Sequence, residues 1–356
     1  MRIGVDARSL SSSITGIGRY TLELLSRMTQ DEENEWFIYS SRPLLSEISS
    51  KKNVVVRTGN ISNRWIRMFW YQAILPIWVA QDKCDLFWSP AHILPIFLPK
   101  RIHTVVTIHD LVWRHAPETM RPLSRVVEAK LMPRTVKFAD VIMADSYSTA
   151  KDLAKEIPDS LKKIKVIYLA PTLSMSRKYE SIEMGQYILF VGTIEPRKNL
   201  PRLLEAYANL PLTLKNKFPL KIVGGAGWGK RLKVPNGVEV LGYVTDAHLD
   251  RLYYNASLLL MPSIYEGFGL PIIEAMSRGT PVLTSNVSSM PEIAGSAAIY
   301  VDPSSVESIL SGLHKVLSSP NLRDTMSTKG MLRAKEFSWD RSAHDVLDVF
   351  KSVRLL

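Results

Sequence analysis

The chain reads as two α/β domains in tandem, each built on a parallel, doubly wound sheet. Three observations carry that reading. Short apolar runs alternate with helical periodicity along both halves. Around Pro171–Gln186 the periodicity is lost and the composition turns polar, which places a linker there. The length of 356 residues suits two domains, and 46% apolar with 22% charged residues is enough to bury full cores.

In chain order, Arg2–Ala7 reads as a strand and Gly16–Met28 as a helix with Tyr20, Leu24, Leu25 and Met28 on one face. Trp36–Ser40, Val54–Arg57, Leu86–Ser89, Thr104–Ile108 and Val141–Asp145 are further strands. Ser146 is an N-cap for a helix to Glu156, and Ile164–Tyr168 is the last strand of this half. In the second half, Tyr187–Val191, Leu220–Val223, Val238–Leu241, Leu258–Met261, Pro281–Thr284 and Ile299–Val301 are strands. Leu200–Leu210, Thr245–Asn255, Pro271–Ser277, Ser288–Ala294, Ser305–Leu317 and Asn321–Lys335 are the helices between or after them. A final helix, Trp339–Val353, is expected to cross back onto the first domain. The expected division is 1–172 with 339–356 against 184–338. Ligands of such sheets bind beyond the strand carboxyl ends, so a cleft between two facing domains is expected.

Composition narrows the function. The single cysteine, Cys84, precludes an intramolecular disulfide framework and suits a reducing cytoplasm. The opening residues read as a strand and lack the layout of a leader, and no run of spanning length is free of charge and proline. The net charge is +11, and residues 42–137 hold fifteen Lys/Arg against six Asp/Glu. Such a surface attracts an anionic ligand, anionic lipid or nucleic acid, but no nucleic-acid module motif is present. Metal ligation looks poor, with one cysteine, no H-E-x-x-H and no Asp-x-Asp at a strand end.

The most informative stretch is Tyr265-Glu266-Gly267-Phe268-Gly269-Leu270-Pro271-Ile272-Ile273-Glu274. It follows a buried-strand run and opens a helix, so two carboxylates bracket a glycine-rich turn at a helix N-terminus. Such a turn is an anion site, and a carboxylate there can accept hydrogen bonds from a polyol such as ribose. The chemistry points to a nucleoside diphosphate with sugars at either end. Arg197 and Lys198 sit at another strand-to-helix turn, where two cations would neutralise a breaking sugar–phosphate bond. His109 and Asp110 follow the strand Thr104–Ile108, which places them at the crevice edge, with Asp110 expected to orient His109 or to bind a sugar hydroxyl. Gly16-Ile17-Gly18-Arg19 lies between the first strand and helix, where Gly16 and Gly18 would let a loop approach a diphosphate and Arg19 would contact a phosphate or the acceptor. Gly224 opens a glycine-rich stretch to Gly229 that suits a phosphate-lining loop or a plain β–α connection. The segment Arg64–Val79 is aromatic and basic, and it reads either as a core helix beneath the sheet or as a membrane-facing surface with Arg114, Arg121, Arg125 and Lys130 on its rim.

These segments, in this order, resemble the retaining glycosyltransferases of sequence family 4, which have the GT-B fold of two Rossmann-like domains. The resemblance covers almost the whole chain. It rests on Gly16-Ile17-Gly18-Arg19, Thr107-Ile108-His109-Asp110, Val191-Gly192-Thr193-Ile194-Glu195-Pro196-Arg197-Lys198-Asn199 and the Glu266…Glu274 motif. Within the family, the chain looks like the mannosyl- and rhamnosyl-type enzymes of bacterial surface polysaccharide assembly.

The resemblance implies that Arg197 and Lys198 hold the donor diphosphate, and that Glu266 meets the hydroxyls of the transferred sugar. Glu274 would take the ribose hydroxyls. Backbone groups of Gly267, Phe268, Gly269 and Leu270 would cradle phosphate and sugar oxygens, with Tyr243 and Val244 beside the base. His109 would face the transferred sugar, with Arg19 and Asp110 on the acceptor side. It also implies metal-independent transfer, with no cofactor beyond a GDP- or UDP-sugar donor. The acceptor would be a lipid-diphosphate-linked saccharide, handled in the cytoplasm or at the inner face of the membrane. Many relatives carry an arginine where this chain has Thr193, so the roles of Arg197 and Lys198 need not follow the family. A sugar-nucleotide epimerase of the same fold and a non-catalytic membrane scaffold are the competing readings.

Overall fold

The computed structural model describes residues 1–11, 16–45, 48, 52–172, 186–229 and 233–354. Most of the expected linker, residues 173–185, lies outside the described residues. The chain forms two compact units. The first holds Met1–Leu111, Val126–Leu169 and Trp339–Leu356, and the second holds Val112–Arg125 and Ala170–Ser338.

The first unit carries a seven-stranded sheet: β1 (Arg2–Asp6), β2 (Glu35–Ser40), β3 (Val54–Thr58), β4 (Leu86–Ser89), β5 (His103–Ile108), β6 (Val141–Ala144) and β7 (Ile164–Val166). Its order is β3-β2-β1-β4-β5-β6-β7, and the paired strands are parallel. Strands β4 and β6 are buried along their whole length, as expected of parallel strands covered on both faces, while edge strand β3 is largely exposed. The final helix, Trp339–Val353, buries Trp339, Ala343, Val346, Val349, Phe350 and Val353, an apolar stripe at helical spacing. It packs in this unit: Phe350 lies against Trp36 and Trp88, Arg27 Nε donates to Asp340 Oδ1 at 2.7 Å, and Ser342 Oγ donates to the Tyr168 carbonyl at 2.6 Å.

The second unit carries a six-stranded sheet: β8 (Ile188–Val191), β9 (Leu220–Val223), β10 (Val238–Gly242), β11 (Leu258–Met261), β12 (Val282–Ser285) and β13 (Ala298–Val301). Its order is β10-β9-β8-β11-β12-β13, again with parallel pairs. The winding reverses between β8 and β11, so the chain leaves these neighbours in opposite directions and opens a crevice at their carboxyl ends.

Four expectations change. Val112–Arg125 groups with the second unit instead of the first. There Trp228 Nε1 donates to the Thr119 carbonyl at 2.9 Å, the Arg121 guanidinium sits over the Trp228 ring, and His115 stacks on Tyr265 with ring centres 5.4 Å apart. Local sequence carries no sign of these aromatic contacts. Second, Gly16 and Gly18 form the first turn of the helix Gly16–Met28 and not a loop, and residues 12–15 before them lie outside the described residues. Third, Pro122–Phe138 is a helix that periodicity did not reveal, because its apolar residues form no single stripe and Pro133 lies inside it. Fourth, Arg64–Gln81 is a core element only in part. Trp70, Tyr71, Leu75 and Val79 are buried, whereas Trp65 and Phe69 in the first turns are 62% and 63% exposed.

Candidate active site

In the second unit the site grows from the ends of β8 and β11. After β8 the chain makes a tight turn, Pro196–Lys198, and then Asn199 adopts a left-handed conformation at φ 61° before the helix Leu200–Ala208. Asn199 Nδ2 donates to the carbonyls of Pro262 and Pro303 at 2.9 and 2.7 Å, tying this turn to the loops that follow β11 and β13. The loop after β11 runs to Gly269, which caps the helix Leu270–Ser277 at φ 98°, a conformation glycine adopts without Cβ strain.

The two loops bring Arg197, Lys198 and Glu266 together. Arg197 Nη1 donates to Glu266 Oε2 at 2.6 Å and to the Tyr265 carbonyl at 3.0 Å. Arg197 Nη2 donates to Glu195 Oε1 at 2.7 Å, and Lys198 Nζ donates to Glu266 Oε1 at 2.7 Å. Glu195, Lys198 and Glu266 are buried. Burial alone would raise the Glu266 carboxyl, but Arg197 and Lys198 outweigh it and hold the group down at about 2. The backbone is fixed as well: the Glu266 amide donates to Ser288 Oγ at 3.0 Å, and Ser289 Oγ donates to the carbonyls of Glu266 and Phe268. A few residues on from Glu266 the helix Leu270–Ser277 begins; Pro271 has no N–H and the Ile272 amide donates to the Gly269 carbonyl at 2.9 Å, so what this end offers is chiefly the positive end of the helix dipole. Paired cations beside a helix N-terminus, Lys198 buried and Arg197 half-buried, make a surface that can receive a phosphate and stabilise charge on it.

Glu274 is buried on the same helix, where Tyr253 donates its hydroxyl to Oε2 at 3.0 Å. Tyr243 is exposed and Val244 half-buried just beyond β10. Two glycines of the stretch, Gly224 and Gly227, sit where a Cβ would strike neighbouring backbone. A Cβ at Gly224 would lie 2.0 Å from the Gly192 carbonyl oxygen, so only glycine lets this loop run against the turn that carries Arg197 and Lys198. Backbone bonds from Ile194 to Gly225 and from Trp228 to Ile194, each 3.1 Å, continue the pairing of β8 with β9 into the loops.

In the first unit a second cluster forms at the ends of β4, β5 and β6. Here the expected partner changes: Asp145, not Asp110, holds the His109 ring. His109 Nδ1 lies 2.6 Å from Asp145 Oδ2, and Nε2 lies 2.7 Å from the Pro90 carbonyl oxygen. The register explains it, because Ile108 pairs with Ala144 and the next residue of each strand therefore falls side by side. Asp110 lies just beyond the strand and is half-buried. Tyr20, from the first helix, meets the edge of the His109 ring at 4.9 Å and shares a hydrogen bond with Thr107 Oγ1 at 3.0 Å. Arg19 is half-buried on that helix.

Sequence reasoning missed Asp145, Glu195 and Tyr253 as site residues. The signal for Asp145 was its place at the end of a strand beside the strand of His109. For Glu195 it was the acidic residue two positions before Arg197. Tyr253 carried none, because its contact with Glu274 joins two helices. Among the described residues no group of three or more His, Cys, Asp or Glu is placed to hold a metal ion. Among them no helix is long and apolar enough to cross a membrane.

Two parallel-sheet units, a charge cluster at a switch point and a long C-terminal helix define the GT-B fold class. Comparison with known proteins gives the family. The family described as Glycosyltransferase Family 4 matches residues 14–170, and that described as Glycosyl transferases group 1 matches residues 173–333. The chain is 30% identical to the O-antigen chain mannosyltransferase B of Escherichia coli over 99% of this chain and 100% of that one. In fold it is similar to sucrose-phosphate synthase of Thermosynechococcus elongatus, with a TM-score of 0.76, 17% identity and 99% of each chain covered. It is also similar to HepE of Anabaena, solved in complex with UDP and glucose, with a TM-score of 0.70, 17% identity, and 99% and 100% of the chains covered. The chain belongs to the family 4 glycosyltransferases, and it is a glycosyltransferase of GT-B fold.

Proposed function

We propose that this enzyme moves a hexose, with mannose the favoured sugar, from a nucleoside-diphosphate sugar to a lipid-linked saccharide, retaining the anomeric configuration, during assembly of a cell-surface polysaccharide of the O-antigen kind. The observation that carries the reading is the buried contact of Arg197 and Lys198 with Glu266 at the ends of β8 and β11. The name of the Escherichia coli relative supports mannose and the O-antigen setting. The Anabaena neighbour was solved with UDP, so a UDP-sugar is the alternative donor to GDP-mannose.

In this mechanism the bond from the anomeric carbon to the diphosphate oxygen breaks, and the acceptor oxygen bonds to that carbon on the same face. The acceptor proton passes to the departing diphosphate. The basic side chains and the positive end of the Leu270–Ser277 dipole stabilise the charge that develops there, in place of a divalent cation. Glu266 accepts hydroxyls of the transferred sugar, Glu274 those of the ribose, and the segment around Tyr243 and Val244 meets the base. His109, fixed by Asp145 and the Pro90 carbonyl, is assigned to the transferred sugar. The exposed Trp65 and Phe69, with Arg64 and Arg67 on the same helix, suit peripheral contact with an anionic inner membrane face.

A calorimetric panel of nucleotide sugars tests the donor, and turnover of Lys198→Ala tests the site. Tight binding of one nucleoside-diphosphate sugar is expected, with turnover of the variant lowered by about 10²–10³-fold. Near-normal turnover in Lys198→Ala would remove the mechanism.

A further inference from the structure

The two cations of the donor site are not held alike. The Arg197 guanidinium is locked by three acceptors, Glu195 Oε1, Glu266 Oε2 and the Tyr265 carbonyl, at 2.7, 2.6 and 3.0 Å. Lys198 has one hydrogen bond among the described residues, to Glu266 Oε1 at 2.7 Å, so two of its three ammonium donors remain. Glu195 is 7% exposed, and Arg197 is the one cation within ion-pair distance of it among the described residues.

An incoming diphosphate needs cations, and each cation it takes leaves carboxylates behind. If Arg197 swung to the phosphate, both Glu195 and Glu266 would lose it, and Glu195 would become a buried charge without a partner, which is strongly unfavourable. If Lys198 turned to the phosphate, Glu266 would still keep Arg197. The guanidinium is planar and forked, and it bridges two carboxylates in a fixed geometry, whereas the ammonium is a point charge on a flexible stem.

We propose that Glu195 is a positioning residue: it holds Arg197 against Glu266, so that Arg197 fixes the sugar-facing carboxylate while Lys198 alone among the side chains of this cluster takes the donor phosphate. The proposal rests on the donor-site reading above and divides its labour. It also accounts for a turn that places an acidic residue two positions before the arginine, because the extended backbone of Glu195 and the Pro196–Lys198 turn set both side chains on one cluster.

The test compares Glu195→Ala, Glu195→Asp, Arg197→Gln and Lys198→Ala in the full chain, with far-ultraviolet circular dichroism confirming the fold. Affinity for GDP and for UDP is read by calorimetry, and kcat and donor KM by turnover of the sugar nucleotide that binds. Lys198→Ala should weaken nucleoside-diphosphate binding at least ~10-fold, while Glu195→Ala and Arg197→Gln keep it within about 3-fold. Glu195→Ala should lower kcat ~10-fold or more at little-changed donor KM, with Glu195→Asp recovering part of the loss. Loss of nucleotide affinity in Arg197→Gln equal to that in Lys198→Ala, or unchanged kcat in Glu195→Ala, would overturn the proposal. Should the wild type bind neither nucleotide, the donor-site reading falls. The positioning role is then judged from the Glu266 carboxyl, followed by carbon NMR in wild type and in Glu195→Ala. A higher titration in the variant supports the role, and an unchanged one defeats it.

Discussion

The clusters at the strand ends of the two units are built on different principles. In the second unit, two carboxylates and two cations close a buried charge network, in which Glu266 meets both Arg197 and Lys198. In the first unit, one imidazole is gripped at both nitrogens by Asp145 and the Pro90 carbonyl, with Tyr20 against its ring. The first arrangement works through the balance of charge, and its residues come from two short motifs. The second works through placement, and its residues come from three strand ends and a helix. Changes that keep shape but alter charge should therefore harm the first, and changes that free a ring should harm the second.

The largest effect expected in the first unit probes placement. Asp145→Ala leaves the His109 ring held at one nitrogen, and turnover should fall on the order of 10²-fold, as small misplacements near a reacting centre do. Steady-state kinetics checks it. Unchanged turnover would mean that the Asp145 contact only supports the fold.

The next effect probes charge. The Glu266 carboxyl lies at about 2, below its ordinary 4.5, so its contribution to stability is fully present above pH 4.5 and is lost as pH falls toward 2. Between about pH 5 and about pH 3, wild type should lose roughly 2 kcal/mol more stability than Glu266→Gln. Urea unfolding at both pH values measures this. Parallel losses in the two proteins would show that the carboxyl is not held down.

The smallest effect serves as a control in the first unit. Replacing the exposed Trp65 and Phe69 together by serine should change stability by less than about 0.5 kcal/mol, since neither is in the core. Binding to vesicles of anionic phospholipid should nevertheless weaken several-fold, as sedimentation would show. Equal vesicle binding would detach this helix from any membrane role.

Much of this molecule was legible before its coordinates. Apolar runs such as Leu258–Met261 lie in the sheets, because parallel strands are covered on both faces and need no polar side. Serine and threonine at 146, 245 and 305 cap their helices, since a side-chain oxygen there satisfies an amide that the helix leaves open. The final helix Trp339–Val353 was expected from the sequence, and it forms over those residues. The helix Pro122–Phe138 was hidden, because its apolar residues form no single stripe and Pro133 lies inside it.

By itself, the sequence determined the two alternating halves, the family motifs, and the presence of Glu266, Arg197 and Lys198 at strand-to-helix turns. Those features depend on neighbours a few residues apart, and periodicity and turn chemistry report on that range. Only the tertiary structure decided that Asp145 holds His109, that Glu195 braces Arg197, that Tyr253 meets Glu274, and that Val112–Arg125 packs with the second unit. Strand register, loop approach and aromatic stacking set these contacts, and they join residues that the chain itself keeps apart or gives no reason to pair.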